Sequence, residues 1–494
     1  MINLHNKVGE QNLYKLSGHF SVLLIISVLS SILGAESFSE FKKSQADLFK
    51  QYKYEHDKTF NNYLKSNWEA YLSKKPLSFY ETPKPESILP TSEKHPKKLG
   101  PKIHMKIDVD KKEKVVDKTV KIVFLQKQSD EAKDIKINFF GTGLGFDIPE
   151  GLRVSKFYPQ NQKGIETFFN SVVSVEFEPL ISSINSTIKE LNLNDWGKYL
   201  LIKKISENIF EGQDDSRLLS WFIFNKLGYS VRVGLAKKHV VVMYHSKKRI
   251  YATPHYNIGK KMFYAVSEYS KAGTGRVYTY DHDYPDSNRS FDLSMKTLPK
   301  LSKNIKTKTL SFKKYSQKYD VDYTYNQNLI DFMSTYPQAD YETFFNTPLS
   351  EQSYKDIAKG LRKYINGKET SVALNFVLRF VQKSFKYEID NKQFGREKVM
   401  FAQETLFYDK SDCEDRAILF AYLVKELFKI SVVGVKYKDH MATAIYVPMK
   451  GDSVRVNSRK FIIADPTYIN SNIGESMKKY RSRKPKSFIF LTDS

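Results

Sequence analysis

Two passages of this chain read almost alike. Tyr158-Pro159-Gln160 is followed by Glu166-Thr167-Phe168-Phe169-Asn170, and far downstream Tyr336-Pro337-Gln338 is followed by Glu342-Thr343-Phe344-Phe345-Asn346. The correspondence then runs on in order. Leu201-Ile202-Lys203-Lys204-Ile205 faces Val377-Leu378-Arg379-Phe380-Val381, Asp215 faces Asp415, Leu227 faces Leu427, and Gly234 faces Gly434. Thr253-Pro254 faces Asp465-Pro466 after a small difference in loop length. Several matched blocks in one order point to an internal duplication, so the chain should fold as two versions of one unit.

The second version carries chemistry that the first does not. Cys413, the only cysteine in 494 residues, stands in Ser411-Asp412-Cys413-Glu414-Asp415-Arg416-Ala417, just ahead of the apolar run Ile418–Val424. That run has the spacing of a buried helix, which places Cys413 at the helix N-terminus. There the free N–H groups and the helix dipole favour a thiolate. A nucleophilic thiolate needs a base and a group to orient the base. His440 lies in the strand-like Lys438–Val447, and Asp465 ends the strand-like Phe461–Asp465. The first half has Gln213, Val240 and Thr253 in the matching places, and it lacks counterparts of about Tyr387–Phe407. It reads as a copy without nucleophile or orienter. A structural role is expected for Asp415, because Asp215 persists where the cysteine does not, and Arg416 is placed to pair with it.

Asp-Cys-Glu-Asp-Arg-Ala before an apolar helix, then His on a strand, then Asp-Pro-Thr, resembles the transglutaminase-like superfamily of papain-type cysteine enzymes. The similarity is closest to exported bacterial members and covers roughly 349–494. Ser411 departs from the glycine that many members carry before the aspartate. The resemblance implies an α+β fold with a papain/transglutaminase-like core, a cysteine-bearing helix packed on an antiparallel sheet, here duplicated and preceded by a long N-terminal helix. It implies Cys413, His440 and Asp465 as a catalytic triad, and a substrate cleft walled by the segment that includes Phe394, Gly395, Gln403 and Glu404. Gln382, on the preceding helix, is a candidate oxyanion donor; an ordinary surface glutamine is the competing reading, and the Cys413 backbone N–H is the firmer donor. No metal or cofactor is expected, since no Cys/His/Asp set has zinc spacing, no glycine-rich phosphate loop occurs, and the acids are too dispersed for a calcium loop.

Lys7 and Lys15 precede the apolar run Phe20–Leu33, which ends at Gly34-Ala35. The run is short of the ~20 residues of a membrane span and has the form of a secretory signal over 1–35. The expected location is therefore exported, periplasmic or envelope-associated, or secreted; a retained anchor stays open because Leu33 is a poor cleavage residue. Apolar residues at steps of three and four over 36–75 read as an amphipathic helix, docked on the body or paired with a copy of itself. Residues 76–101 are a proline-rich linker, strand-like segments follow at His104–Asp110, Val115–Leu125 and Ile135–Phe140, and 102–300 holds these strands with the degenerate copy. Residues 301–348 connect it to the catalytic copy at 349–494.

Lysine and arginine exceed aspartate and glutamate by 24, with a pI near 9.5. The basic residues are scattered and no nucleic-acid-binding signature accompanies them, so anionic envelope polymers and not nucleic acid are the expected charged partners. The expected substrate is a protein or peptide. Hydrolysis by a peptidase or amidase is favoured over transamidation, and a non-catalytic envelope adaptor is the alternative from another class.

Overall fold

A computed structural model describes residues 38–78, 88–104, 133–268 and 275–492. The expected leader and the strands over 105–125 lie outside them. Two units result, one reaching to Phe60 and one from Asn61 onward. The expected boundaries at 300 and 348 therefore fall inside a single compact unit. No described helix is long and apolar enough to cross a membrane.

Helix α1 spans Phe38–Lys65. It stops sooner than the amphipathic pattern predicts. Ser66 hydrogen-bonds back onto the Asn62 and Tyr63 carbonyls, and Glu69–Leu72 becomes strand β1. Tyr71 and Leu72, expected on the helix, lie in that strand, because pairing with β8 (Arg276–Thr279) satisfies their backbone groups.

The remaining strands, in chain order, are β2 (Ile135–Phe139), β3 (Thr142–Phe146), β4 (Val231–Ala236), β5 (His239–His245), β6 (His255–Ile258) and β7 (Lys261–Tyr264). After β8 come β9 (Ile305–Lys314), β10 (Gln317–Asn326), β11 (Lys386–Tyr387) and β12 (Lys410–Ser411). The chain closes with β13 (Val432–Lys436), β14 (Met441–Ile445), β15 (Ser453–Val456), β16 (Arg459–Ala464) and β17 (Ser487–Phe490). Two antiparallel sheets carry the architecture, one ordered β1-β8-β4-β5-β7-β6 and the other β17-β13-β14-β16-β15. Leaving β1 aside, each position along one sheet is filled by the strand with the same rank in its half of the chain.

Each sheet follows a pair of helices: α2 (Asp195–Ile209) and α3 (Gln213–Lys226) before the first, α4 (Thr370–Lys383) and α5 (Cys413–Phe428) before the second. Helix α5 is apolar nearly all round and is buried from Cys413 to Leu427 except for a few positions, as a helix enclosed by other elements must be. Its start is fixed by a capping box. The Asp412 side chain accepts from the backbone of the third helical residue, and Asp415 returns the bond to the Asp412 N–H, closing two donors that a helix start leaves open. Strands β13 and β14 are buried on almost every residue; helix α5 packs on them, and Tyr480, Val433, Val435, Ala442, Ala444 and Ile463 belong to one cluster.

Gly234 and Gly434 occupy corresponding places in β4 and β13. A methyl group on Gly434 would come within 2.8 Å of Phe345 and 3.2 Å of Ile489, and one on Gly234 within 2.3 Å of Val277. Two other sequence alignments change. Gly234 pairs with Val241 and Gly434 with Thr443, so Val240 matches Ala442. His440 lies instead in a turn that is shorter in the first half. Thr253 precedes β6 whereas Asp465 follows β16; the residue in that place after β7 is Ala265. The sequence match was drawn through Thr-Pro and Asp-Pro, and the Pro pair lies on opposite sides of a strand hairpin.

The described part of the proline-rich linker is bound. Its backbone exchanges hydrogen bonds with the 368–371 turn and with Ile469, and Glu93 pairs with Arg379 and Lys383 at 3.3 and 3.2 Å.

Candidate active site

Cys413 is the first residue of α5, so its own N–H has no partner within the helix. His440 closes the turn into β14, its carbonyl accepting from Tyr437 N–H at 2.8 Å. Asp465 follows β16, and the pairing of Thr443 with Ala464 sets the end of that strand beside the start of β14. The three side chains meet there. His440 Nε2 lies 2.9 Å from Asp465 Oδ2, and the Asp465 carboxylate is itself aimed by N–H groups of Thr467 and Tyr468 at 2.9 and 3.1 Å.

Burial alone would strip the imidazole of its proton, but the Asp465 carboxylate and the Cys413 sulfur outweigh it and raise the His440 pKa to about 10. Nδ1, the other ring nitrogen, has no nitrogen or oxygen partner; Cys413 is the remaining group that acts on the ring. The thiol also donates to Glu414 Oε2 at 3.2 Å. Cys413 is 1 % exposed, His440 4 % and Asp465 2 %, so the site is closed. The Tyr480 ring stacks on His440 with centroids 4.7 Å apart. Tyr341 and Tyr387 also stand within electrostatic reach of the sulfur, their phenols pushed up by burial and then by Cys413.

Gln382 is not placed as an oxyanion donor. Its Nε2 donates to the carbonyls of Asp465 (2.9 Å) and Tyr468 (2.8 Å) and reaches Ser471 Oγ at 3.1 Å, while its Oε1 accepts from Arg379 at 2.6 Å. Two amide protons are thus committed to the loop that follows Asp465. Gln382 holds the loop that carries Asp465 in place. Gln403 and Glu404 are not cleft residues either. Gln403 is buried between Ser350 N–H and Ser353 Oγ, and buried Glu404 pairs with buried Lys398 at 2.7 Å. Both sit on a short helix whose inner face carries them. Phe394 is half-buried against Tyr408, and Gly395 is exposed at φ 69°, open to solvent.

Asp415 accepts from Met400 N–H at 2.9 Å, and in the first half Asp215 accepts from Phe157 N–H at 2.6 Å; both tie an upstream loop to the helix start. The Asp412 and Asp415 carboxylates act electrostatically on Arg416. Arg416 reaches Ser411 Oγ and the carbonyls of Gln382 and Phe385, and burial lowers its pKa to about 10. The sequence reading missed a concentration of acids beside Cys413. Asp390, Glu397, Asp412, Glu414 and Asp415 form overlapping groups whose oxygens lie within 4.8 Å of one another. Hard cations favour such oxygens, although Asp390 and Asp415 already accept backbone N–H groups. Spacing rules scan contiguous loops, and these acids come from separate segments.

In the first half Gln213 begins α3 as Cys413 begins α5. A pocket of about 100 Å³ remains there, between Tyr199, Gln213, Ser216, Arg217, Ser220 and Tyr244. Trp196 and Trp221 are buried on their helices.

Comparisons of the chain with protein families, with curated proteins and with solved structures find no match.

Proposed function

We propose that this chain is a transglutaminase-like cysteine enzyme that breaks a peptide or carboxamide bond. The observation that carries this reading is the convergence of Cys413, His440 and Asp465, with the imidazole held against the carboxylate at 2.9 Å and its pKa raised. In the reaction, the thiol proton rests on His440 as an imidazolium and the Cys413 sulfur adds to the substrate carbonyl carbon. The helix-terminal N–H of Cys413 receives the developing oxyanion. His440 then gives its proton to the leaving amine as the C–N bond breaks, leaving a thioester on Cys413. Water, deprotonated by His440, releases the acid in a hydrolase; an amine in its place gives a transglutaminase. Asp465 fixes the ring through both half-reactions.

The corresponding strand orders of the two sheets, the glycines at Gly234 and Gly434, and the matched roles of Asp215 and Asp415 support reading the first half as an inactive copy. Export to the envelope belongs to the same proposal and rests on the leader pattern at 1–35. The burial of Cys413 favours a second reading, a non-catalytic envelope adaptor.

The test is a screen of envelope extracts with the full-length protein and a biotinylated amine. Products that vanish in Cys413→Ala and fall steeply in His440→Ala establish the triad; free-acid products mark a hydrolase and biotinylated ones a transglutaminase. Asp465→Asn should retain more turnover than Asp465→Ala, because an amide still orients a neutral ring. Products that persist in Cys413→Ala defeat the mechanism, and the absence of any Cys413-dependent product leaves the adaptor.

A further inference from the structure

Residues 477–486 lie against His440 through Tyr480, and they are basic. Lys478, Lys479, Arg481, Arg483, Lys484 and Lys486 fall within ten residues, with no acid among them, and all six are exposed. Tyr480 is the exception in this arm. It turns inward at 3 % exposure, stacks on His440, and packs on Tyr437 with centroids 5.0 Å apart. The arm is tied down by carboxylates. Lys479 pairs with Asp439, Arg483 Nη1 lies 3.7 Å from Asp439, and Arg481 Nε lies 3.1 Å from Asp452. Asp439 directly precedes His440, so the clamp closes beside the base.

We infer that the 477–486 arm is a plug over the triad, and that an acidic polypeptide substrate releases it by taking Lys479, Arg481 and Arg483 from Asp439 and Asp452. This rests on the triad assignment above. The carboxylate chemistry follows from the clamp itself, since side-chain carboxylates already hold the arm and a glutamate- or aspartate-rich segment replaces them like for like. The three pairs are half-exposed on the cationic side, where a competing chain reaches them and where each pair is weak enough to exchange. As the arm leaves, Tyr480 goes with it and the sulfur is uncovered. The same contact that opens the site then holds the substrate beside it, so cleavage or transamidation falls near acidic sequence.

The experiment is the rate at which iodoacetamide alkylates Cys413 in the folded full-length chain, a reading of thiol access that does not require turnover. Poly-L-glutamate should accelerate alkylation about tenfold, the shift expected when two or three surface ion pairs are lost. Monomeric glutamate at the same carboxylate concentration, and sodium chloride at the same ionic strength, should do much less. Lys479→Ala/Arg481→Ala/Arg483→Ala should alkylate faster than wild type without polymer and gain little from it. Tyr480→Leu should be fast throughout; if it does not fold, the triple surface variant carries the same test. The inference is overturned by wild type that ignores the polymer, by salt that matches it, or by a triple variant that responds as wild type does. Polymer-driven alkylation in a chain without Cys413-dependent turnover leaves the plug standing and removes the enzyme.

Discussion

Replacing Gln382 by alanine separates two roles that its position allows. The amide donates to the Asp465 and Tyr468 carbonyls and approaches Ser471, and it accepts from Arg379, all at full burial. A net hydrogen bond contributes about 1 kcal/mol, and a buried acceptor stripped of its donor costs about 1–3 kcal/mol. Losing three such contacts, with a small cavity added, should destabilise the chain by about 3–5 kcal/mol. Equilibrium urea unfolding followed by tryptophan emission reads this as a lower midpoint. An oxyanion donor would give the opposite pattern, a loss of about 10²–10³ in kcat with stability intact. A Gln382→Ala variant that keeps the wild-type urea midpoint while losing turnover on that scale refutes the positioning role.

Two further outcomes follow from the geometry. The folded His440 pKa, near 10, lies above its ordinary value of about 6.5, so its contribution is complete below pH 6.5 and is lost as pH climbs through 10. The stability difference between wild type and His440→Gln should therefore shrink across pH 6.5–10 in paired thermal melts, and a difference that stays flat over that window contradicts the ion pair. Gly434→Ala and Gly234→Ala should each lower stability by about 1–3 kcal/mol, because the added methyl groups meet Phe345 and Val277 at 2.8 and 2.3 Å; wild-type melting of either variant shows that the close approach is not needed.

The elements most legible in sequence were those with strong periodicity. Helix α5 announced itself through Ile418–Val424, because an unbroken apolar run at helical spacing is what a helix buried on nearly all sides requires. The order of cysteine, histidine and aspartate was also readable, since each stands at the end of a regular element. Side-chain direction was not. Gln403 and Glu404 sit in the segment expected to wall a cleft, yet the helix turns both inward, and nothing in a polar pair announces which partner it has. The end of α1 was misplaced because Tyr71 and Leu72 continue a helical spacing by chance while β8, more than 200 residues on, supplies their backbone partners. Tyr480 left no signal, as it lies in a short aperiodic stretch whose lysines read as ordinary surface.

The bound arm at 88–104 changes what counts as a module of this protein. The repeat suggests that the second half could be produced alone from Leu349. Such a piece would lack Glu93, the carboxylate beside buried Arg379, and Arg379 is the group that holds Gln382. It would also lose the backbone of Thr91 and Lys94, which accept the side-chain amides of Asn470 and Asn472. The loop that carries Asp465 is thus completed by chain laid down nearly four hundred residues earlier. The repeated passages draw one boundary in the sequence, and the hydrogen bonds that complete this loop ignore it.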